Sequence, residues 1–157
     1  GKDNVINRGI SGDVAMGIYD RLHQILPGKP KQIFLLIGVN DISHDLSTDS
    51  IVQMIEKNVT RIQRESPETK LYLQSLLPID ESFNRYKKLT NKTYQIPEIN
   101  DRLKALAKEK KIDFIDLYPL FTEKGTNVLR KELTYDGLHL KEEGYKIWVD
   151  AIKKKMK

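Results

Sequence analysis

Apolar runs and amphipathic stretches alternate along this chain, a pattern typical of strands that are followed by helices. Residues 32–37 (QIFLLI) and 71–77 (LYLQSLL) are apolar nearly throughout, as expected for strands buried on both faces of a parallel sheet. Shorter runs at residues 4–7 and 113–116 predict two further strands. Because strands that alternate with helices pair in parallel through right-handed crossovers, the pattern predicts an α/β fold.

The stretches between these strands carry apolar residues at helical spacing. Asp13 suits the N-cap of the first helix, and Ser47 or Thr48 begins the second. Residues 78–95 are polar and basic with weak periodicity, and they predict an irregular excursion beside a site. The predicted helices cover residues 14–26, 48–66, 99–107 and 141–155.

Length and composition indicate one globular domain spanning residues 1–157. Hydrophobic residues make up 39% and charged residues 31% of the chain, which is ordinary for a packed domain. The net charge of +5 comes from dispersed lysines and a terminal KKKMK, without a basic stripe that interleaves with aromatics, so we expect no nucleic-acid partner. No apolar run approaches the ~18 residues of a membrane span. The absence of cysteine excludes disulfides and thiolate catalysis.

The first of three loops with candidate chemistry is NRGISGD, residues 7–13. Two glycines at a strand-to-helix junction let backbone N–H groups approach a ligand, and the helix N-terminus favours negative charge. The alternative is a tight turn with no ligand. The loop lacks the phosphate-binding fingerprints of a P-loop or a dinucleotide fold, which disfavours a nucleotide-binding domain.

The second loop is residues 38–41 (GVND), which follow a buried strand. The side-chain amide of Asn40 has the chemistry to donate a hydrogen bond to a developing oxyanion at the carboxyl rim of the sheet. The alternative is turn chemistry, in which Asn40 and Asp41 bond to nearby backbone groups.

The third loop contains Asp136-Gly137-Leu138-His139. A carboxylate bonded to one imidazole nitrogen fixes the tautomer while the other nitrogen acts as a base, and this spacing lets both side chains come from one turn. A surface Asp and His with no joint role is the alternative.

In this order the segments NRGISGD, IGVND and DGLHL resemble blocks two, three and five of the SGNH (GDSL-type) hydrolases. They are similar in particular to bacterial lysophospholipase- and acetylhydrolase-like esterases, over nearly the whole chain. The resemblance implies a three-layer α/β/α, flavodoxin-like parallel sheet. It also implies esterase chemistry on a small-molecule substrate, with no metal and no cofactor.

The resemblance assigns a role to each matching residue. The backbone N–H of Gly12 and the side chain of Asn40 are implied to form the oxyanion hole. His139 is implied to be the general base, and Asp136 the carboxylate that orients it. Further candidates to line the pocket are Ser11, Asp41 and His44.

The nucleophile that the resemblance implies is absent from this sequence. The family's serine lies in a Gly-Asp-Ser motif after the first strand, whereas the Gly12-Asp13 pair is followed by Val14. We therefore expect the natural protein to begin further upstream, with the serine and the first strand there. Weaker substitutes, none at a recognisable nucleophile turn, are Ser11, Ser43 and Ser75.

In the family's sheet the missing first strand lies between the strands that match residues 4–7 and 32–37. Without it, two edges would carry unpaired backbone groups beside an apolar gap. We expect the fold to adapt: the two strands pair directly, another chain such as a second copy fills the gap, or the N-terminal segment moves.

The leading interpretation is an SGNH-type serine esterase for small acyl esters, such as acetyl groups on carbohydrate, that is inactive or nearly so without its serine. Tyr86 and Tyr94 are candidates to shape the leaving-group side, with an ordinary surface loop as the alternative. The rival interpretation is a non-catalytic binding module that keeps the fold and uses the exposed sheet edge or the basic surface. The compartment is undetermined; the resemblance implies that export is common, with any signal lying upstream.

Overall fold

A computed structural model describes residues 15–156 of the chain. Within them, three parallel strands form one sheet in the order β1-β2-β3, which confirms the predicted α/β fold. The strands are β1 (Gln32–Leu35), β2 (Lys70–Gln74) and β3 (Asp113–Ile115). The predicted strand at residues 4–7 lies outside the described residues, so the arrangement beyond the outer edge of β1 stays a prediction.

Six α-helices accompany these strands in the described part of the chain. The predicted helices are confirmed, although the third of them begins at Gln95 instead of residue 99. Pro97 falls in its first turn, where no backbone N–H is needed for the helix. The helices are α1 (Ala15–Ile25), α2 (Val39–Ser43), α3 (Thr48–Glu65), α4 (Gln95–Lys110), α5 (Tyr118–Phe121) and α6 (Glu142–Met156).

The two faces of the sheet are covered by different helices, as a three-layer α/β/α fold requires. Leu71 and Leu73 of β2 pack with residues of α1, α3 and α4. Tyr72, whose side chain points to the opposite face, packs with α5 and α6. The near-continuous apolar pattern of β2 is therefore explained by burial on both faces.

Residues 38–41, predicted as a loop, are largely helical in the structure. Gly38 has φ of +142°, a conformation that side-chain-bearing residues rarely adopt, and α2 begins directly after it. A helix of five residues is too short to show a helical period in the sequence. This turn carries Asn40 from the end of the strand region to the carboxyl rim of the sheet.

Residues 78–95, predicted as an irregular excursion, fold back onto the rim through short 3₁₀ turns. The carboxylate of Glu81 accepts hydrogen bonds from the Asn91 N–H (2.6 Å) and the Thr93 hydroxyl (2.7 Å). Leu89 is buried in the core. The segment is therefore held by its own hydrogen bonds and by the packing of Leu89 in the core. No helix among residues 15–156 combines the length and the apolar character needed to cross a membrane.

Candidate active site

A cleft of about 840 Å³ opens at the carboxyl rim of the sheet. Its apolar floor includes Leu36, Ile37 and Leu76, which continue from the ends of β1 and β2. Asn40 and His139 both line it, although 98 residues of sequence lie between them. The structure thus brings two of the predicted site residues to one cavity.

The Asp136–His139 pair is held in a turn that uses both oxygens of the carboxylate. Oδ1 accepts the backbone N–H groups of Leu138 (3.0 Å) and His139 (2.8 Å), and Oδ2 lies 2.8 Å from His139 Nδ1. Thr134 closes the turn, because its hydroxyl donates to the His139 carbonyl at 2.6 Å. With Nδ1 occupied by the carboxylate, Nε2 is the nitrogen available as a base.

Gly137 makes this turn possible. Its φ is +89°, and a Cβ at this position would lie 2.3 Å from the carbonyl oxygen of Asp80. The close approach allows a hydrogen bond between the two segments, in which the Asp80 N–H donates to the Gly137 carbonyl at 2.9 Å. The glycine therefore ties the turn of the Asp–His pair to the beginning of the segment 78–95.

Tyr86 reaches the same pair from that segment. Its hydroxyl donates to Asp136 Oδ2 at 2.6 Å and lies 2.9 Å from His139 Nδ1. From the sequence, Tyr86 is only a candidate to shape the leaving-group side, and no motif spacing links it to a residue 50 positions away. Tyr94, the other aromatic candidate in the segment, has a side chain that is 63% exposed and is not among the described residues that line the cleft.

The electrostatics of the pair follow from these hydrogen bonds. Partial burial acts to raise the pKa of Asp136, but the Tyr86 hydroxyl, the His139 ring and two backbone N–H groups outweigh it and hold the pKa well below its usual range. The hydrogen bond to Asp136, with partial burial, raises the pKa of Tyr86. At neutral pH, Asp136 is therefore an anion and Tyr86 a neutral donor.

Asn40 is half-buried at the cleft. Its backbone carbonyl oxygen accepts two hydrogen bonds at the end of α2. That oxygen accepts hydrogen bonds from the Ser43 hydroxyl (2.7 Å) and from His44 Nδ1 (2.6 Å). His44 itself is exposed and is not among the described residues that line the cleft.

Asp41 lies on the inner side of α2. Its carboxylate is 1% exposed and accepts the backbone N–H of Ala15 at 3.1 Å, at the beginning of α1. A carboxylate at this position stabilises a helix N-terminus. Asp41 thus joins α2 to α1, and within the described residues it is not part of the cleft wall. Gly12 and Ser11, the other predicted site residues, lie outside the described residues.

Two of the serines considered as substitute nucleophiles are in the described part of the chain. Ser43 lines the cleft, but its hydroxyl donates to the Asn40 carbonyl. Ser75 is fully buried, and its oxygen accepts the N–H groups of Leu117 (2.9 Å) and Tyr118 (3.0 Å) at the beginning of α5. Among residues 15–156, no three His, Asp or Glu residues are grouped as metal ligands would be.

The chain is similar to known proteins over nearly its whole length. Residues 1–147 match the model of the GDSL-like lipase/acylhydrolase family. A curated relative, the N-acylneuraminate cytidylyltransferase of Escherichia coli, is 26% identical over 151 residues. The match covers 94% of this chain but 34% of the relative, so the chain spans about a third of that protein's length.

Solved structures show the same fold. A GDSL-like lipase from Bacteroides thetaiotaomicron superposes with a TM-score of 0.86 at 26% identity, covering 96% of this chain and 74% of the lipase. An acetyl xylan esterase superposes with a TM-score of 0.77 at 23% identity, covering 94% of this chain and 78% of the esterase. At the lower identity the likeness establishes the fold alone.

Proposed function

Because this chain belongs to the GDSL-like lipase/acylhydrolase family, we propose that its cleft is the acyl-transfer site of a serine esterase for small acyl esters. The observation that carries the proposal is the meeting of Asn40 with the hydrogen-bonded Asp136–His139 pair at one cleft. The cleft thus combines a side-chain amide, which can stabilise an oxyanion, with a base that a carboxylate orients. Acyl transfer requires both groups.

In the proposed reaction, a serine hydroxyl attacks the acyl carbonyl carbon while His139 Nε2 takes the hydroxyl proton. The oxyanion accepts hydrogen bonds from the Asn40 side chain and the Gly12 N–H. The ester C–O bond then breaks, and the proton passes from His139 to the departing alcohol. Water repeats the sequence on the acyl-enzyme and regenerates the serine.

The serine of this mechanism belongs to a Gly-Asp-Ser motif, which the chain does not contain. We therefore propose that residues 1–157 supply the base, its carboxylate and part of the oxyanion hole, and that they hydrolyse esters slowly or not at all by themselves.

The proposed substrates are acyl esters of carbohydrates, such as acetylated sugars. One similar protein is named for a substrate of this kind, acetyl xylan. A second is named for an acylated sugar whose acyl group is an amide, N-acylneuraminate. The cleft combines an apolar floor with polar and basic side chains of residues 85–88, a surface suited to a small acyl group attached to a polar alcohol.

The test is hydrolysis of p-nitrophenyl acetate by this chain and by a form extended upstream to include a Gly-Asp-Ser motif. We expect turnover in the extended form and its loss in the His139→Gln variant. The matched control is His23→Gln, on the exposed surface of α1, which should keep full activity.

Asn40→Ala in the extended form should lower kcat by about 100- to 1000-fold, as expected for loss of one oxyanion donor. A folded extended form without activity towards p-nitrophenyl acetate or acetylated sugars would overturn the proposal and favour the non-catalytic binding module. Equal activity in Asn40→Ala and the unmodified protein would remove Asn40 from the mechanism.

A further inference from the structure

The hydroxyl of Tyr86 forms a closed triangle with one atom of each member of the Asp–His pair. The sides are 2.6 Å from Tyr86 Oη to Asp136 Oδ2, 2.9 Å from Oη to His139 Nδ1, and 2.8 Å from Oδ2 to Nδ1. We propose that Tyr86 is a positioning residue, which holds the imidazole of His139 with its proton on Nδ1 and its basic Nε2 available to substrate. This role rests on the proposed function.

The hydrogen positions follow from counting donors and acceptors. The ionised Asp136 carboxylate only accepts, so the 2.6 Å contact requires the tyrosine to donate to Oδ2. The Tyr86 oxygen then keeps lone pairs for a proton on Nδ1, which is shared between two acceptors. The other tautomer would place the lone pair of Nδ1 against the carboxylate, which is unfavourable. The triangle is therefore complete only when Nδ1 is protonated.

His139 needs this second contact because little else holds its ring. The side chain is 61% exposed, so packing restrains it weakly. The Tyr86 ring lies against it with centroids 5.8 Å apart and planes inclined by 58°. A single hydrogen bond to Oδ2 leaves an exposed imidazole free to swing about that contact, whereas two acceptors at Nδ1 fix the ring plane.

Tyr86 can act in this way because its own position is fixed. Its carbonyl accepts the N–H of Leu89 at 3.0 Å, and Leu89 is buried in the core. The same segment is joined to the Asp–His turn by the hydrogen bond between Asp80 and Gly137. The position of the base is thus coupled to the fold of residues 78–95.

The first experiment uses NMR of the full chain with ¹⁵N-labelled histidine. The chain has three histidines, and His139→Gln identifies the signals of His139. In the neutral imidazole of His139, we expect a protonated Nδ1 and an unprotonated Nε2. An unmodified protein with the proton on Nε2 would overturn the proposal, whatever the behaviour of any variant.

The second experiment compares Tyr86→Phe with the unmodified protein. Phenylalanine keeps the ring in the cleft wall and removes only the hydroxyl. We expect both ring nitrogens of His139 to shift towards the average of the two tautomers. Tyr94→Phe, in the same segment but with a side chain 63% exposed, should leave them unchanged. Unchanged His139 signals in folded Tyr86→Phe would contradict the proposal.

These measurements need no turnover, so they are independent of the esterase test. In an active extended form, Tyr86→Phe should lower kcat by about 10- to 100-fold with KM nearly unchanged, the effect of a misaligned base. A loss confined to KM would assign Tyr86 to substrate binding and overturn the positioning role. If no form hydrolyses esters but the NMR result holds, the proposed function fails and Tyr86 still orients His139.

Discussion

Asp136 stabilises the folded chain as well as orienting His139, because its carboxylate accepts hydrogen bonds from both backbone and side chains. Its pKa in the folded protein lies below the ordinary value of 3.8. The unfolded chain therefore binds more protons than the folded chain in that range. The stabilisation is complete above the ordinary pKa and is lost as the pH falls through the lower, folded value.

We predict that Asp136→Asn lowers the free energy of unfolding at about pH 7 by about 2 kcal/mol, the scale of hydrogen bonds to a charged group. The difference between the two proteins should shrink as the pH falls below 3.8, because the unfolded wild-type chain then binds a proton that the folded chain does not yet bind. Urea unfolding at a series of pH values measures this. Asp150→Asn, an exposed position on α6, is the control and should cost little at any pH. A difference that does not depend on pH would show that the charge of Asp136 is irrelevant to stability.

At the scale of single residues, the sequence predicts pairs that share one turn and misses partners that come from elsewhere. The spacing of Asp136 and His139 places both side chains in one loop, and the structure joins them. The contact with Tyr86 depends on how residues 78–95 fold back, for which the sequence has no periodic signal. The sequence also does not show in which direction each side chain points. Consecutive helical residues project about 100° apart, so Asn40 lines the cleft while Asp41 points inward to α1.

At the scale of elements, the turn around Gly137 determines the geometry of the site. We predict that Gly137→Ala destabilises the protein by about 2–4 kcal/mol, since it adds backbone strain and a steric clash. The clash is with the carbonyl of Asp80, 2.3 Å from the added Cβ, so the bond between the two segments should also be lost. The His139 NMR signals report that second effect, and urea unfolding reports the first.

Gly125→Ala is the matched control for this prediction. Gly125 also has a positive φ, +76°, but an added Cβ would meet no atom within 4 Å. It should therefore show only the conformational cost, about 1 kcal/mol, and leave His139 unaffected. Equal effects of the two substitutions would mean that the contact with Asp80 does not matter.

The elements themselves were predictable where they are long and periodic. The Ser47 hydroxyl accepts the N–H of Ser50 at 3.1 Å, which confirms the predicted beginning of α3. The short α2 was missed because its five residues follow a glycine turn and show no period. The strand at residues 4–7 and the N-terminal loop with Gly12 stay predictions.

At the scale of the whole molecule, alternating apolar runs and amphipathic stretches were enough to predict a parallel sheet covered by helices, because each element must bury an apolar face. The three-layer arrangement was implied by the family resemblance. The apolar pattern did not indicate which polar groups join the layers. Gln74 is a polar residue in an apolar strand, and the sequence offers no reason for it. In the structure it is 2% exposed, and its Oε1 accepts the indole N–H of Trp148 at 2.6 Å.

This hydrogen bond fastens α6 to β2, and Trp148 also lines the cleft. We predict that Trp148→Phe lowers the free energy of unfolding by about 1–3 kcal/mol beyond the change in packing, because it leaves the buried Gln74 oxygen without this donor. Gln74→Leu, which removes the acceptor, should relieve that cost in the double variant. A double-mutant cycle should therefore give a coupling free energy of about 1 kcal/mol.

The cycle is best followed by circular dichroism during urea unfolding, because Trp148 is the only tryptophan of the chain and fluorescence is lost with it. Tyr145→Phe serves as the control, since Tyr145 stacks on Trp148 with ring centroids 6.2 Å apart but is 51% exposed. Paired with Gln74→Leu, it should show costs that simply add. Strict additivity for Trp148 and Gln74 as well would mean that apolar packing alone holds α6 on the sheet.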